Sequence, residues 1–227
     1  MEKPVKHRRQ YDSPRRREQA RATRHAMIEA ARALFIERGY VATTIDAIAA
    51  RANVSPETVY STFGTKRSLL SELVDVTIAG GDNAPAVHEQ AWVEEMRQEP
   101  DRRRRLQILA RNGRSILARR AAIDEVVHGA AGADPEIAAL WERGKDQRFA
   151  GQRELLRIVA GSTTLREGLD LESGAEILFA IGSPEIYRLL VVDRGWSDGR
   201  FEQWYGDTLV RLLLDPGSAG PPEDGRA

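Results

Sequence analysis

The sequence of 227 residues has no cysteine, which removes disulfides, thiolate metal sites and cysteine nucleophiles at once. Nowhere do about 18 apolar residues run together, as a membrane-spanning helix requires. The first 25 residues are crowded with Arg and Lys where a secretory signal needs an apolar stretch. The expectation is a protein neither exported nor membrane-bound, at home in a reducing cytoplasm. The four histidines, His7, His25, His88 and His128, stand apart at spacings that suit no metal. A Gly-rich phosphate loop and a G-x-S-x-G elbow are both missing. These gaps argue against an enzyme, a resident metal or a cofactor.

What is present is an uneven distribution of charge. The formal net charge is zero, yet residues 1–67 hold 14 Lys or Arg against 7 Asp or Glu, while residues 68–227 hold 20 against 27. A basic head on an acidic body is the outline expected when only the head meets nucleic acid, because neutralised phosphates supply most sequence-independent affinity.

Residues 1–17 are polar, basic and broken by Pro4 and Pro14, and read as a disordered arm able to follow a DNA backbone or enter a minor groove. Residues 216–227, rich in Gly and Pro, read as a loose tail. Between them the apolar spacing is helical almost throughout, with little alternation of period two. Fold class is therefore all-α, with a head at 18–67 and a body at 68–215.

In the head, Ala26, Met27, Ala30, Ala31, Leu34 and Phe35 form one stripe that Gly39 terminates. A second helix carries Ile45, Ile48, Ala49 and Ala52, with Thr43 as the expected N-cap three residues before Asp46. Ser55 and Pro56 are a favoured N-cap and first helical residue, so a third helix starts within about three residues of the second one's end. Two short helices joined so tightly make a helix-turn-helix, whose second helix enters a major groove. Val59 and Phe63 would anchor that helix inward; Glu57 and Ser61 face away. Thr65-Lys66-Arg67 then opens a fourth helix at a natural phosphate site.

The run "ALFIERGYVATTIDAIAARANVSPETVYSTFGTKRSLL" resembles the tetracycline-repressor (TetR) family of bacterial regulators. The likeness rests on Phe35 to Gly39, Thr43-Thr44, Ile48-Ala49, Val54-Ser55, Thr58-x-Tyr60, Phe63 and Lys66. It implies that Thr44, Tyr60 and Lys66 hold phosphates, while Ser55, Pro56, Glu57, Thr58 and Ser61 lie at base edges. Contacts of the first kind fix register and those of the second specify sequence. Glu57 departs from the small or basic residue common in relatives; it either accepts from cytosine N4 or merely caps the helix.

In the body, a helix over about 101–129 carries Leu106, Leu109, Gly113, Ile116, Leu117, Ile123 and Val127, with Arg102 to Arg105 on solvated outer turns. Another opens at Asp134-Pro135, and within its apolar stripe Arg148 and Gln152 are out of place. Polar groups at core-facing positions need partners, and in a sensor the partner can be a ligand. Candidate pocket residues are Trp92, Met96, His128, Trp141, Arg148, Gln152 and Tyr187. Gly182 and Pro184 should bend the helix expected over 172–193 and free a carbonyl toward an interior space.

The last helix, 198–214, has an apolar stripe wider than one neighbour would cover. The family plan pairs the final two helices with their symmetry mates, which implies a homodimer through Leu178, Leu189, Phe201, Trp204, Tyr205, Thr208, Leu209 and Leu212. Two heads then reach successive major grooves about 34 to 36 Å apart. The function expected is a DNA-binding transcriptional regulator, in the repressing sense, acting on a palindromic operator of double-stranded DNA in the nucleoid. A small-molecule effector would tune it from the C-terminal ligand-binding and dimerisation domain. The alternative is an effector-independent DNA-binding adaptor whose body docks other proteins; it calls for a fully packed interior and an exposed apolar patch, where the first calls for a cavity of several hundred cubic ångströms.

Overall fold

The structure, a computed structural model, describes residues 14–162 and 165–215. Most of the arm and all of the tail expected at the two ends lie outside these residues. Ten α-helices follow in order: α1 Pro14–Ala42, α2 Ile45–Arg51, α3 Pro56–Phe63, α4 Lys66–Ala79, α5 Ala91–Gln98, α6 Arg102–Ala131, α7 Pro135–Ala160, α8 Leu171–Ile181, α9 Pro184–Tyr187 and α10 Asp198–Leu213. A 3-10 turn at Val87–Glu89 precedes α5, and a π-helical segment at Arg188–Asp193 follows α9. No strand occurs among the described residues.

Local chemistry sets most boundaries. Helix α1 begins at Pro14, inside the stretch expected as arm, and is broken at Gly39, whose φ of 77° a side chain would oppose. Thr44, rather than Thr43, caps α2: its hydroxyl accepts the Ala47 N–H at 3.1 Å. Thr43 is buried instead, its hydroxyl turned back on the carbonyls of Leu34 and Gly39 at the end of α1. Asn53, at φ 54°, makes the tight turn into α3, a conformation that Asn tolerates better than most residues. Ser55, Thr65, Asp134 and Ser197 cap α3, α4, α7 and α10.

Two apolar clusters hold the chain together. The first joins Phe35, Ile48, Val59 and Leu69 of the head to Ile123, Val127 and Ile137 of α6 and α7. The second fills the body with Leu106, Leu156, Leu178, Phe201, Tyr205 and Leu209. Helix α4 packs on α1 and α6 together and so runs from head into body across the boundary expected near residue 67. Arg105 turns inward, against expectation: it donates to Ile158 O at 2.7 Å and Glu99 O at 2.5 Å, tying α6 to the end of α7. A guanidinium has enough donors to satisfy otherwise open carbonyls at a helix end.

Candidate functional site

Helix α3 presents a polar face to solvent because its apolar residues are few and on one side. Val59 is fully buried, and Phe63 is half-buried beneath Arg24, whose guanidinium stands 5.2 Å from the ring. Glu57, Tyr60, Ser61 and Thr62 are exposed, with Pro56 and Thr58 half-buried at the edges. The backbone of α3 satisfies several of its own hydroxyls. Ser55 accepts the Thr58 N–H at 3.3 Å, and Ser61 donates to Thr58 O at 3.0 Å. The Ser55 hydroxyl and the Glu57 backbone N–H hold the Glu57 carboxyl below the usual carboxylate range, so it is anionic at neutral pH.

Thr44 is exposed at the start of α2. Lys66 is turned inward: its ammonium donates to Tyr40 O and Thr43 O, both at 2.8 Å, and lies 4.2 Å over the Tyr40 ring. Burial lowers its pKa. An ammonium has three protons, so one remains for an external acceptor. All eight residues expected at DNA are thus on or beside the α2–α3–α4 surface.

In the body a cavity of about 850 Å³ opens between α4, α6 and α7, with α9 at one end. Trp92, Trp141, Arg148 and Gln152 of the expected set line it. The other three do not. Met96 is sealed in the core; His128 is exposed and lies tilted against Trp141, ring centroids 5.4 Å apart; Tyr187 is buried and donates to Asp198 at 2.8 Å. Burial and that bond push the Tyr187 hydroxyl up to about 12. Residues that sequence reasoning passed over also line the cavity, notably Asp75, His88, Arg120, Asp124 and Tyr205.

Arg148 crosses toward the break between α8 and α9. It donates to Phe179 O at 2.8 Å and reaches Gly182 O at 3.4 Å, the carbonyl freed where Gly182 and Pro184 interrupt the helix. Burial lowers its pKa to about 10, which leaves it charged. Gln152 Nε2 reaches the same Gly182 carbonyl at 3.4 Å. Asp124 is buried against Arg120, at 2.8 Å, and burial still raises its carboxyl above the usual range. Burial likewise raises the Tyr205 hydroxyl.

The stripe expected at a dimer interface divides in two. Leu178, Phe201, Tyr205 and Leu209 are buried within the single chain, because α10 turns its 201-205-209-213 face onto α6. Leu189 is 50% exposed and its neighbour Val192 61%, while Trp204, Thr208 and Leu212 are half-buried.

Residues 27–73 match the profile of the bacterial regulatory proteins of the TetR family. The chain's helix-turn-helix head is of the TetR type. The chain shares the all-helical plan of solved TetR-family regulators, a helix-turn-helix head and a helical body. The HTH-type transcriptional regulator YdeS of Bacillus subtilis is 26% identical over 180 residues, 79% of this chain and 84% of that protein. Among solved structures, FadR of Bacillus subtilis in complex with stearoyl-CoA has 19% identity and a TM-score of 0.63, over 82% of this chain and 96% of that one. The SmeT–triclosan complex, SmeT being a repressor of a Stenotrophomonas maltophilia efflux pump, has 19% identity and a TM-score of 0.66, over 91% and 98%. No described helix of this chain is long and apolar enough to cross a membrane, and no group of metal-ligating side chains occurs among the described residues.

Proposed function

We propose that this regulator binds double-stranded DNA as a homodimer, reads it with α3, and releases or tightens its hold when a small molecule fills the body. One observation carries the reading: the helix that starts beside α3 is the helix that walls the cavity. Thr65 and Lys66 open α4 at the reading surface, and Ser71, Val74, Asp75 and Ile78 of the same helix line the 850 Å³ space. A ligand that favours one placement of α4 therefore favours one placement of the head, which is the differential affinity that coupling requires.

In this reading Glu57, Thr58 and Ser61 meet base edges, and Thr44, Tyr60 and Lys66 meet phosphates. FadR and SmeT, of the same fold, carry ligands as unlike as stearoyl-CoA and triclosan, which supports a body that takes a small molecule. The cavity favours this over a docking adaptor, for which a filled interior was the sign. The dimer face consists of Leu189 and Val192 with the outer side of α10 at Trp204, Thr208 and Leu212.

Selection of bound fragments from a random DNA pool tests the proposal. A palindromic consensus with half-sites one helical turn apart is expected; recovery of no consensus at low salt sinks it.

A further inference from the structure

The exposed face of α3 offers acceptors and few donors. Residues 52–65 contain no Lys or Arg, and Glu57 is their one charged side chain. The commonest specific contact in a major groove, Arg or Lys on guanine O6 and N7, is therefore closed to this helix. Cations nearby are already engaged. Arg51 holds both oxygens of Glu37 at 2.7 and 2.8 Å, Arg67 pairs with Glu136, and Arg24 pairs with Glu72 against the Phe63 ring. Lys66 donates to the Tyr40 and Thr43 carbonyls.

The hydroxyls of the face are committed in the same sense. Ser61 and Thr62 both donate to Thr58 O, at 3.0 and 2.7 Å, which leaves them lone pairs rather than protons to offer. Thr58 and Ser55 share a bond of 3.2 Å. Tyr60, whose hydroxyl can donate, is one of the residues set against phosphate in the reading above. Glu57 is exposed in the first turn of α3, where the Ser55 hydroxyl and its own backbone N–H hold its carboxylate. A carboxylate has about four lone-pair sites, so two such bonds leave room for a further donor.

Base edges differ in how they answer such a face. In the major groove guanine shows two acceptors, and thymine an acceptor and a methyl group; adenine shows a donor beside an acceptor, and cytosine a donor alone. An anionic acceptor is repelled by the first two, half-matched by the third and matched by the fourth.

We propose that Glu57 sets the sequence specificity of this regulator, accepting from cytosine N4 and rejecting guanine at one position of each half-site. The proposal rests on the DNA-reading role of α3 above and adds which base that helix selects, through a carboxylate where a cation is commoner. Much of the selection is exclusion: the charge that attracts an amino hydrogen is pushed away from guanine and from phosphate, so it weakens binding to other sequences.

Selection from a random duplex pool, with the full wild-type chain and with Glu57→Ala, decides it when followed by anisotropy titrations on the selected operator with each position exchanged in turn. In wild type one position per half-site should prefer cytosine over guanine by about tenfold or more, and Glu57→Ala should flatten that preference to about threefold or less while the other positions keep theirs. N4-methylcytosine at that position keeps its pair with guanine and puts a methyl group where the free amino hydrogen was. It should weaken wild type by about fivefold or more and Glu57→Ala by less than about twofold. A consensus that Glu57→Ala leaves intact overturns the proposal and keeps the reading role of α3. A uniform loss of affinity on every sequence overturns it too, being the mark of a carboxylate that only caps the helix. Failure of the broader reading looks different: wild type then yields no consensus, and both proposals fall.

Discussion

Head and body solve different packing problems with the same element. In the head, Ile48, Ala49 and Val59 are wholly buried where α1, α2, α3 and α4 pack together. In the body, Ile116 of α6 and Leu140 and Leu155 of α7 face the cavity. A reading surface needs its apolar side fixed, since a shift of one helix misaligns every contact on the other side. A sensing body needs space, and space forfeits dispersion contacts. The same substitution should therefore cost different amounts in the two places. Ile48→Ala should destabilise the chain by about 2–5 kcal/mol, the range for a close-packed core. Ile116→Ala, which only widens an existing hollow, should cost about 1 kcal/mol or less. Denaturant unfolding measures both; equal costs would mean that the cavity collapses in solution.

The two regions also differ in how glycine is used. Gly39 serves the head through its backbone angle, whereas Gly182 serves the body through close approach. A Cβ at Gly182 would meet the Tyr205 hydroxyl at 2.3 Å and the Leu178 carbonyl at 2.9 Å. Gly182→Ala should cost about 1–3 kcal/mol by overpacking. Tyr205→Phe in the same chain should recover part of that loss in thermal unfolding, because it removes the nearest atom. No recovery would place the conflict at the Leu178 carbonyl.

A smaller effect is expected at the surface of the head. Lys66→Ala should weaken DNA binding by a similar factor on every sequence and lower the salt slope by about 1, the signature of one lost phosphate contact. Binding isotherms across a salt series measure it. If the slope stays unchanged, Lys66 serves only the Tyr40 and Thr43 carbonyls that it already holds.

How much of this was legible in the sequence follows from the range of each interaction. Caps are local: Ser55-Pro56, Thr65, Asp134-Pro135 and Ser197 mark helix starts through groups no more than three residues away, and the head could be read from them. The error at Thr43 arose because two adjacent threonines can both cap, and only the tertiary end of α1 decides between them. Arg148 and Gln152 were visible as polar breaks in an apolar stripe. The stripe of α10 misled. Width alone cannot tell an inward row, Phe201, Tyr205, Leu209 and Leu213, from an outward one, and four of the eight residues expected at a dimer face proved to be core of the single chain.

The least effect is expected where head and body touch through charge. Arg67, at the start of α4, forms an ion pair with Glu136, at the start of α7, and both side chains are more than a third exposed. Solvent screens such a pair, so Glu136→Gln should cost only about 0.2–1 kcal/mol, and a double-mutant cycle with Arg67→Gln should return a coupling energy of that size that vanishes in high salt. The joint would then be held by the apolar cluster in which Ile123, Val127 and Ile137 of the body pack with Phe35 and Leu69 of the head. A coupling well above about 2 kcal/mol that persists in salt would reverse this assignment. Head and body would then be joined by a charge pair rather than by shared packing, and that pair would set how firmly the cavity holds the reading helix.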